Sequence, residues 1–192
     1  MNASTTTLPA INLKPLKWNP YLPPLDVAEA TPMQLRAMQV TPSASKVSPY
    51  VRTLAHDPES YEARTRLFND IMYVDGGLSK ADRELGAVAA SLANGCKYCA
   101  NVHARRHASM TGSTRTISAI YFERLDALAP RARAIWFFAE ALSSTPPSAN
   151  EEQIESLRNA GMNTAEIIDL IHSIAIFGWA NRLMHPLGTA GS

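Results

Sequence analysis

Along most of this chain, apolar residues recur every three or four positions, which is the spacing of helices that bury one face. A capping residue followed by proline precedes several of these segments, at Thr31-Pro32, Ser48-Pro49 and Asp57-Pro58. Proline is favoured in the first turn of a helix, so these dipeptides predict helix starts. Apolar and polar residues do not alternate over any strand-sized segment. The pattern therefore predicts an all-α fold, with one helical domain over residues 31–192.

Helices are also predicted in the second half of the chain. Two of their starts resemble capping boxes, formed by Ser148 with Glu151 and by Asn163 with Glu166. The last helix, IIDLIHSIAIFGWANRLM over residues 167–184, is apolar on most of its circumference, which indicates burial on several sides. One small domain offers little surface to cover such a helix. We therefore expect a homo-oligomer.

The first 30 residues differ from the rest because five of them are prolines, at positions 9, 15, 20, 23 and 24. Proline lacks an N–H donor and is excluded from helix interiors and central strands. Apolar residues lie between the prolines from Leu13 to Leu25, which favours an extended arm packed over a surface, either its own or a neighbour's. Residues 1–10 are expected to form a disordered tail.

Composition narrows the class of partner. The 18 basic and 17 acidic residues leave a formal charge of +1, so no electrostatic field favours nucleic acid or an anionic membrane. The N-terminus lacks the basic and apolar regions of a secretory signal. The nearest approach to a membrane span, Ile167 to Trp179, is short and contains Asp169 and His172. These features predict a cytoplasmic protein without a membrane partner.

The candidate chemistry lies in the segment ELGAVAASLANGCKYCANVH, residues 84–103, which holds the chain's two cysteines. Ser79 is expected to cap a helix through Glu84, and Asn94-Gly95 to end it. A second helix then begins near Cys96 and carries Cys99 and His103 on one face. If the two helices form a hairpin, Glu84 joins the two thiols and the imidazole.

This set of side chains suits thiol redox chemistry. A thiolate is the nucleophilic form of cysteine, and a helix N-terminus with a nearby imidazole lowers a thiol pKa from about 8.5 to roughly 3.5–7.5. His103 can move the proton, and Glu84 can orient the imidazole. A second thiol converts a sulfenic acid to a disulfide before further oxidation.

Two other interpretations of the cysteines are weaker. Zinc binding through Cys96, Cys99, His103 and His107 would need donors that lie up to about 16 Å apart along one helix, whereas zinc holds its ligands at about 2.3 Å or less. Buried, inert thiols are common, but two of them beside this His and Glu are not. The sequence shows no phosphate-binding loop, haem motif or flavin fingerprint, so neither a metal nor a cofactor is predicted.

The spacing Glu84-x11-Cys96-x2-Cys99-x3-His103 resembles the signature of the carboxymuconolactone decarboxylase-like family, in its alkylhydroperoxidase D branch. The flanking sequences ADREL and WANRLMHPLG fit as well, and the resemblance covers roughly residues 47–188. It implies an oligomeric all-α fold and peroxidase activity. One departure is Tyr98, where the best-known hydroperoxidases of the family carry histidine.

The resemblance also implies residue roles. Cys99 would be the peroxidatic cysteine, Cys96 the resolving cysteine, and His103 with Glu84 a proton relay. The implied partners are a hydroperoxide substrate, an external dithiol reductant of the lipoyl or thioredoxin type, and further copies of the chain in a trimer or hexamer. Two alternatives stay open: a decarboxylase acting on a lactone acid, and a redox sensor that oxidises once without turnover.

Overall fold

The computed structural model describes residues 8–9, 11–39 and 47–191, so most of the predicted N-terminal tail lies outside the described residues. Within these residues the helices are α1 (Pro32–Gln39), α2 (Pro49–Leu54), α3 (Pro58–Tyr73), α4 (Lys80–Ala93), α5 (Lys97–Thr111), α6 (Arg115–Tyr121), α7 (Pro130–Ser143), α8 (Glu151–Asn159) and α9 (Thr164–Leu187). Two short strands, β1 (Lys17–Pro20) and β2 (Gly188–Gly191), complete the fold. The all-α prediction is confirmed, with this small sheet as an addition.

Helix α4 is the centre of the bundle and packs against α5, α7 and α9. Residues 83–91 of α4 are all buried, which requires small side chains on the faces where helices approach. At Gly86, an added Cβ would lie 3.1 Å from Leu170 and 3.2 Å from Ile174, so the glycine lets α9 come close. The core thus fixes α4, the helix that carries Glu84, against its neighbours.

The helix caps follow the predicted chemistry with one exception. Asn163 and Glu166 form the predicted capping box at the start of α9, with hydrogen bonds of 3.0 and 2.9 Å. The box predicted for Ser148 and Glu151 is wrong, because α8 is capped by Asn150 with Gln153. The Ser148 hydroxyl instead faces the Ala141 carbonyl and Ser144, and the amide of Ser148 donates to Ala141 at 2.9 Å.

The two-stranded sheet joins the N-terminal arm to the C-terminal end of α9. Strands β1 and β2 pair antiparallel, with Trp18 opposite Ala190 and Pro20 opposite Gly188. The Trp18 indole packs directly on Gly188, where an added Cβ would lie 2.3 Å from the ring. Asn101 of α5 donates to the Lys14 carbonyl at 3.0 Å. The described part of the arm therefore packs on its own chain and covers the start of α5.

Helix α9 is long and apolar enough, by length and composition, to cross a membrane. It extends to Leu187, eight residues beyond Trp179, the end of the apolar segment seen in the sequence. Its position argues against a membrane span, because it packs on α3, α4 and α7 through a buried face that includes Leu170, Ile174 and Phe177. We therefore assign α9 to the core of a helical domain of the soluble type.

Candidate active site

The hairpin expected for Glu84 and the cysteines forms as predicted. Helix α4 ends at Ala93 with Asn94 as its C-cap residue, and Gly95 takes the left-handed conformation with φ of 70°. Helix α5 begins at Lys97 with Cys96 as its N-cap residue. Because α4 and α5 pack side by side, Glu84 lies beside the first turns of α5. The backbone turn thus places the cysteines at the N-terminal end of a helix.

A buried hydrogen bond joins Glu84 and His103. The distance from Glu84 Oε2 to His103 Nδ1 is 2.5 Å, and both side chains are almost completely excluded from water. The second carboxylate oxygen faces the Arg106 guanidinium at 3.8 Å. The Phe177 ring meets the imidazole edge-on at 4.5 Å between centroids. These contacts fix the orientation of the imidazole and use Nδ1, which leaves Nε2 as the nitrogen available for proton transfer.

Cys99 and His103 line one pocket of about 250 Å³, which Cys96 does not line. Its floor and walls come from α2, α3, α5 and α9, and six of its lining residues are aromatic. Cys99 is 9% exposed, so the pocket is its route to small molecules. A substrate in this pocket would meet a thiol and an imidazole side by side.

Cys96 lines a different pocket, of about 280 Å³, bounded by Trp18, the start of β2 and His185. Tyr98 and Met184 line both pockets and lie between them. The two cysteines therefore face different sides of the site although they are only three residues apart. The arm supplies the wall over Cys96 through Trp18, which packs with both cysteines and Met184.

The contact between the two thiols shifts their pKa values in opposite directions. A hydrogen bond from the Cys99 thiol lowers the pKa of Cys96 to about 6, with further contributions from His185 and Asn181. The same hydrogen bond, together with burial, raises the pKa of Cys99. The contact between the two side chains thus favours the thiolate at Cys96 over the thiolate at Cys99.

A polar network behind Cys96 was not predicted from the sequence. Asn181 accepts a hydrogen bond from Asn94 at 3.2 Å and donates to Ser91 at 3.3 Å, and its side chain is fully buried. His185 Nε2 lies 2.8 Å from the Asn94 carbonyl. Asn181 and His185 belong to the segment WANRLMHPLG, which supported the family resemblance but suggested no role by itself. Asn181 and His185 are polar and four residues apart in an otherwise apolar helix, and this spacing is the sequence feature that could have indicated a buried polar network.

Other histidines lie elsewhere than expected. His107 shares a helix face with His103, which predicts a residue at the solvent end of the helix or in the pocket. It is instead buried and does not line the pocket, and burial lowers its pKa. His172 lies within an apolar segment, which predicts a core residue, but it is exposed on α9. Across residues 8–9, 11–39 and 47–191, no three His, Cys, Asp or Glu side chains converge as a set of metal ligands.

The site and the helical bundle define a class of protein, a small helical domain with a buried Cys-x-x-C pair backed by a Glu–His hydrogen bond. The chain matches the carboxymuconolactone decarboxylase family over residues 58–141. No curated protein matches it.

Several solved structures share the fold. An alkylhydroperoxidase AhpD core, an uncharacterized peroxidase-related protein from Ralstonia eutropha JMP134, is 29% identical with a TM-score of 0.76, and the match covers 88% of this chain and 90% of that one. An uncharacterized peroxidase-related protein from Silicibacter sp. TM1040 is 26% identical with a TM-score of 0.69, over 84% and 87% of the two chains. The debrominase Bmp8, at 22% identity, has a TM-score of 0.71 over 84% and 87% of the chains.

These matches confirm the resemblance found in the sequence. The chain is thus similar to the carboxymuconolactone decarboxylase family over residues 58–141, and its fold is that of solved structures named as alkylhydroperoxidase D-like or peroxidase-related proteins.

Proposed function

We propose that the protein is a thiol-dependent hydroperoxide reductase in which Cys99 attacks the peroxide and Cys96 resolves the product. The observation that carries the proposal is the shared pocket of Cys99 and His103, with Glu84 hydrogen-bonded behind the imidazole at 2.5 Å. A peroxidatic thiol needs a route for the peroxide, a path for its own proton and a second thiol nearby. Cys99 has all three, whereas Cys96 faces a pocket that lacks His103.

The first half of the reaction oxidises Cys99. Its proton moves along the existing hydrogen bond to the Cys96 thiolate. The resulting Cys99 thiolate attacks the distal peroxide oxygen, the O–O bond breaks, and the alkoxide leaves with a proton supplied through His103. The products are a Cys99 sulfenic acid and an alcohol.

The second half forms the disulfide. Cys96, which again loses its proton, attacks the sulfenic sulfur of Cys99, and the hydroxyl leaves as water. An external dithiol then reduces the disulfide by two exchange steps and is itself oxidised to a disulfide. The sum is one hydroperoxide and one dithiol converted to an alcohol, water and a disulfide. Such a cycle requires a reducing compartment, and we infer a cytoplasmic location.

Counting thiols tests the proposal directly. Anaerobic titration of the reduced wild type should find two free thiols, and a second titration after one equivalent of hydroperoxide should find none. The Cys99→Ser protein should keep its remaining thiol. Retention of both wild-type thiols after peroxide addition would contradict the proposal.

Steady-state turnover separates an enzyme from a redox sensor. With excess dithiol and hydroperoxide, an enzyme consumes many equivalents of peroxide for each protein molecule, whereas a sensor stops after one. The decarboxylase alternative predicts loss of carbon dioxide from a lactone acid that does not depend on the redox state of the cysteines. Its activity would survive conversion of Cys96 and Cys99 to the disulfide.

A further inference from the structure

Arg64 of α3 has no charged partner in the part of the chain that the structure describes. Its Nε atom is buried without a hydrogen-bond partner, and no described Asp or Glu forms an ion pair with it. It lies 4.6 Å from the Phe68 ring centroid and 6.0 Å from that of Tyr61, so aromatic faces hold the guanidinium in place. A buried donor without a partner is costly, and a ligand with an acceptor oxygen in the adjoining pocket would satisfy it.

The unpaired guanidinium lines the same pocket as Cys99. No Asp or Glu is among the described lining residues, and the positions outside the described ranges contain none in the sequence. The pocket's other guanidinium, Arg106, already faces Glu84 at 3.8 Å. Arg64 is therefore a positive charge in this pocket that no described acidic side chain balances.

The remainder of the pocket favours an apolar, ring-sized body. Its volume of about 250 Å³ lies just below the range of roughly 300–1,000 Å³ typical of sites for drug-sized ligands. Six of its 17 lining residues are Phe or Tyr: Tyr50, Tyr61, Phe68, Tyr73, Tyr98 and Phe177. A cation at one position among aromatic walls selects ligands with one anionic group on a compact apolar body, since guanidinium and carboxylate pair in a bidentate way.

We propose that the pocket takes hydroperoxides whose small aromatic or branched apolar body carries a carboxylate, with Arg64 binding the carboxylate and Cys99 meeting the peroxide. This inference rests on the proposed function and adds its substrate class. Arg64 is a specificity-determining residue, and its charge also lowers the pKa of Cys99, although Cys96 and burial raise that pKa more. Burial raises the pKa of Tyr50, and the charge of Arg64 lowers it in part. The guanidinium therefore lies close to the aromatic side chains of the pocket.

A matched pair of substrates tests the inference. One is 4-(2-hydroperoxypropan-2-yl)benzoate and the other is its methyl ester, which differ in charge but not in the reacting group. The measured quantity is the second-order rate constant for loss of free thiols in a single turnover. The wild type should prefer the acid by about tenfold or more, as expected for one charge-assisted pair. In Arg64→Met the preference should fall to within about threefold of unity, and Arg64→Lys should recover part of it.

Arg66 supplies a matched control on the same helix, because it is exposed and pairs with Glu62 at 2.7 Å. Arg66→Met should keep the full preference for the acid. If Arg64→Met slowed the acid and the ester equally, the guanidinium would act on the peroxide bond itself, and the assigned substrate class would be wrong. A wild-type ratio near one would also overturn it.

Binding without chemistry separates this inference from the peroxidase proposal. Calorimetric titration of the reduced wild type with 4-isopropylbenzoate and with its methyl ester should show tighter binding of the acid, weakened by added salt. Arg64→Met should remove that difference. If neither hydroperoxide oxidised the cysteines but the acid still bound through Arg64, the peroxidase proposal would fail and the anionic ligand class would stand. Equal binding of acid and ester would overturn the ligand class.

Discussion

The Cys99 thiol donates a hydrogen bond to Cys96, yet the two sulfurs line different pockets. The lowered pKa thus belongs to the cysteine that faces the arm, and the raised pKa belongs to the cysteine that shares a pocket with His103. In the proposed mechanism, attack by Cys99 requires its proton to move to Cys96 against the difference between the two pKa values.

The lowered pKa of Cys96 predicts a pH dependence. Because that pKa is about 6, the thiolate persists above this pH and is lost as the pH falls through it. Thiolate absorbance near 240 nm and single-turnover peroxide consumption should both decline together below about pH 6. Asn181→Leu and His185→Gln should move the midpoint upward, toward the value of about 8.5 for a free thiol. His56→Gln, at an exposed histidine near the Pro23 carbonyl, is the control and should leave it unchanged.

Single cysteine variants should separate the two roles. Cys99→Ser should abolish peroxide consumption, because it removes the thiol in the substrate pocket. Cys96→Ser should allow one oxidation that stops at a sulfenic acid, which a dimedone-type probe would label on Cys99. Equal labelling of Cys96 in the Cys99→Ser protein would show that the roles are reversed or shared.

Removing the charge of Glu84 should slow the reaction. Glu84→Gln keeps the shape of a fully buried side chain but replaces the carboxylate that holds His103 at 2.5 Å. Loss of a positioned proton relay typically costs about 10²-fold or more in rate. Glu155→Gln, which alters an exposed pair with Arg158, serves as the control. A pH–rate profile unaffected by both Glu84→Gln and His103→Gln would remove the pair from the mechanism.

The contact between Trp18 and Gly188 should be sensitive to a single methyl group. Gly188→Ala places a Cβ 2.3 Å from the indole, so the ring or the strand must move. Such overpacking usually costs about 1–3 kcal/mol in the free energy of unfolding. Gly178→Ala is the matched control in the preceding helix, where the nearest atom is the flexible end of Arg182 at 3.4 Å. Urea denaturation measures both, and equal stability of the two variants would contradict the prediction.

The protein is predicted to be a homo-oligomer. Trp179 and Ile168 of α9 are 46% and 47% exposed, and Tyr21 and Leu22 of the arm are 62% and 53% exposed, although all four are large and apolar. Light scattering at micromolar concentration should give a multiple of 20.9 kDa. Trp179→Glu should lower the mass if α9 forms the interface, and Tyr21→Ser with Leu22→Ser should do so if the arm does. A wild-type monomer with full turnover would contradict the prediction.

The sequence revealed the parts of the site that are close along the chain. Capping residues and helical periodicity predicted the α4–α5 hairpin, and the spacing of Glu84, Cys96, Cys99 and His103 predicted which side chains meet. Local rules suffice there because the hairpin turn and the helix faces are set within twenty residues.

The remainder depends on contacts distant in sequence. Strands β1 and β2 are each four residues long and lie about 170 positions apart. They contain Pro20, Gly188 and Gly191, so neither an alternating pattern nor a turn sequence predicts them. Arg64 and Asn181 gain their significance from the helices packed around them, which periodicity does not determine. His107 and His172 show the same limit, since each was assigned to the wrong side of its helix surface.

The pairing of β1 with β2 has a consequence for synthesis. The ribosome makes Trp18 about 170 residues before Gly188, so the wall over Cys96 closes only after α9 and β2 have emerged. Asn181 and His185, which stabilise the Cys96 thiolate, also emerge late. A nascent chain therefore exposes both thiols before either has its folded environment. The surroundings that lower the pKa of Cys96 therefore form only after α9 and β2 have been made.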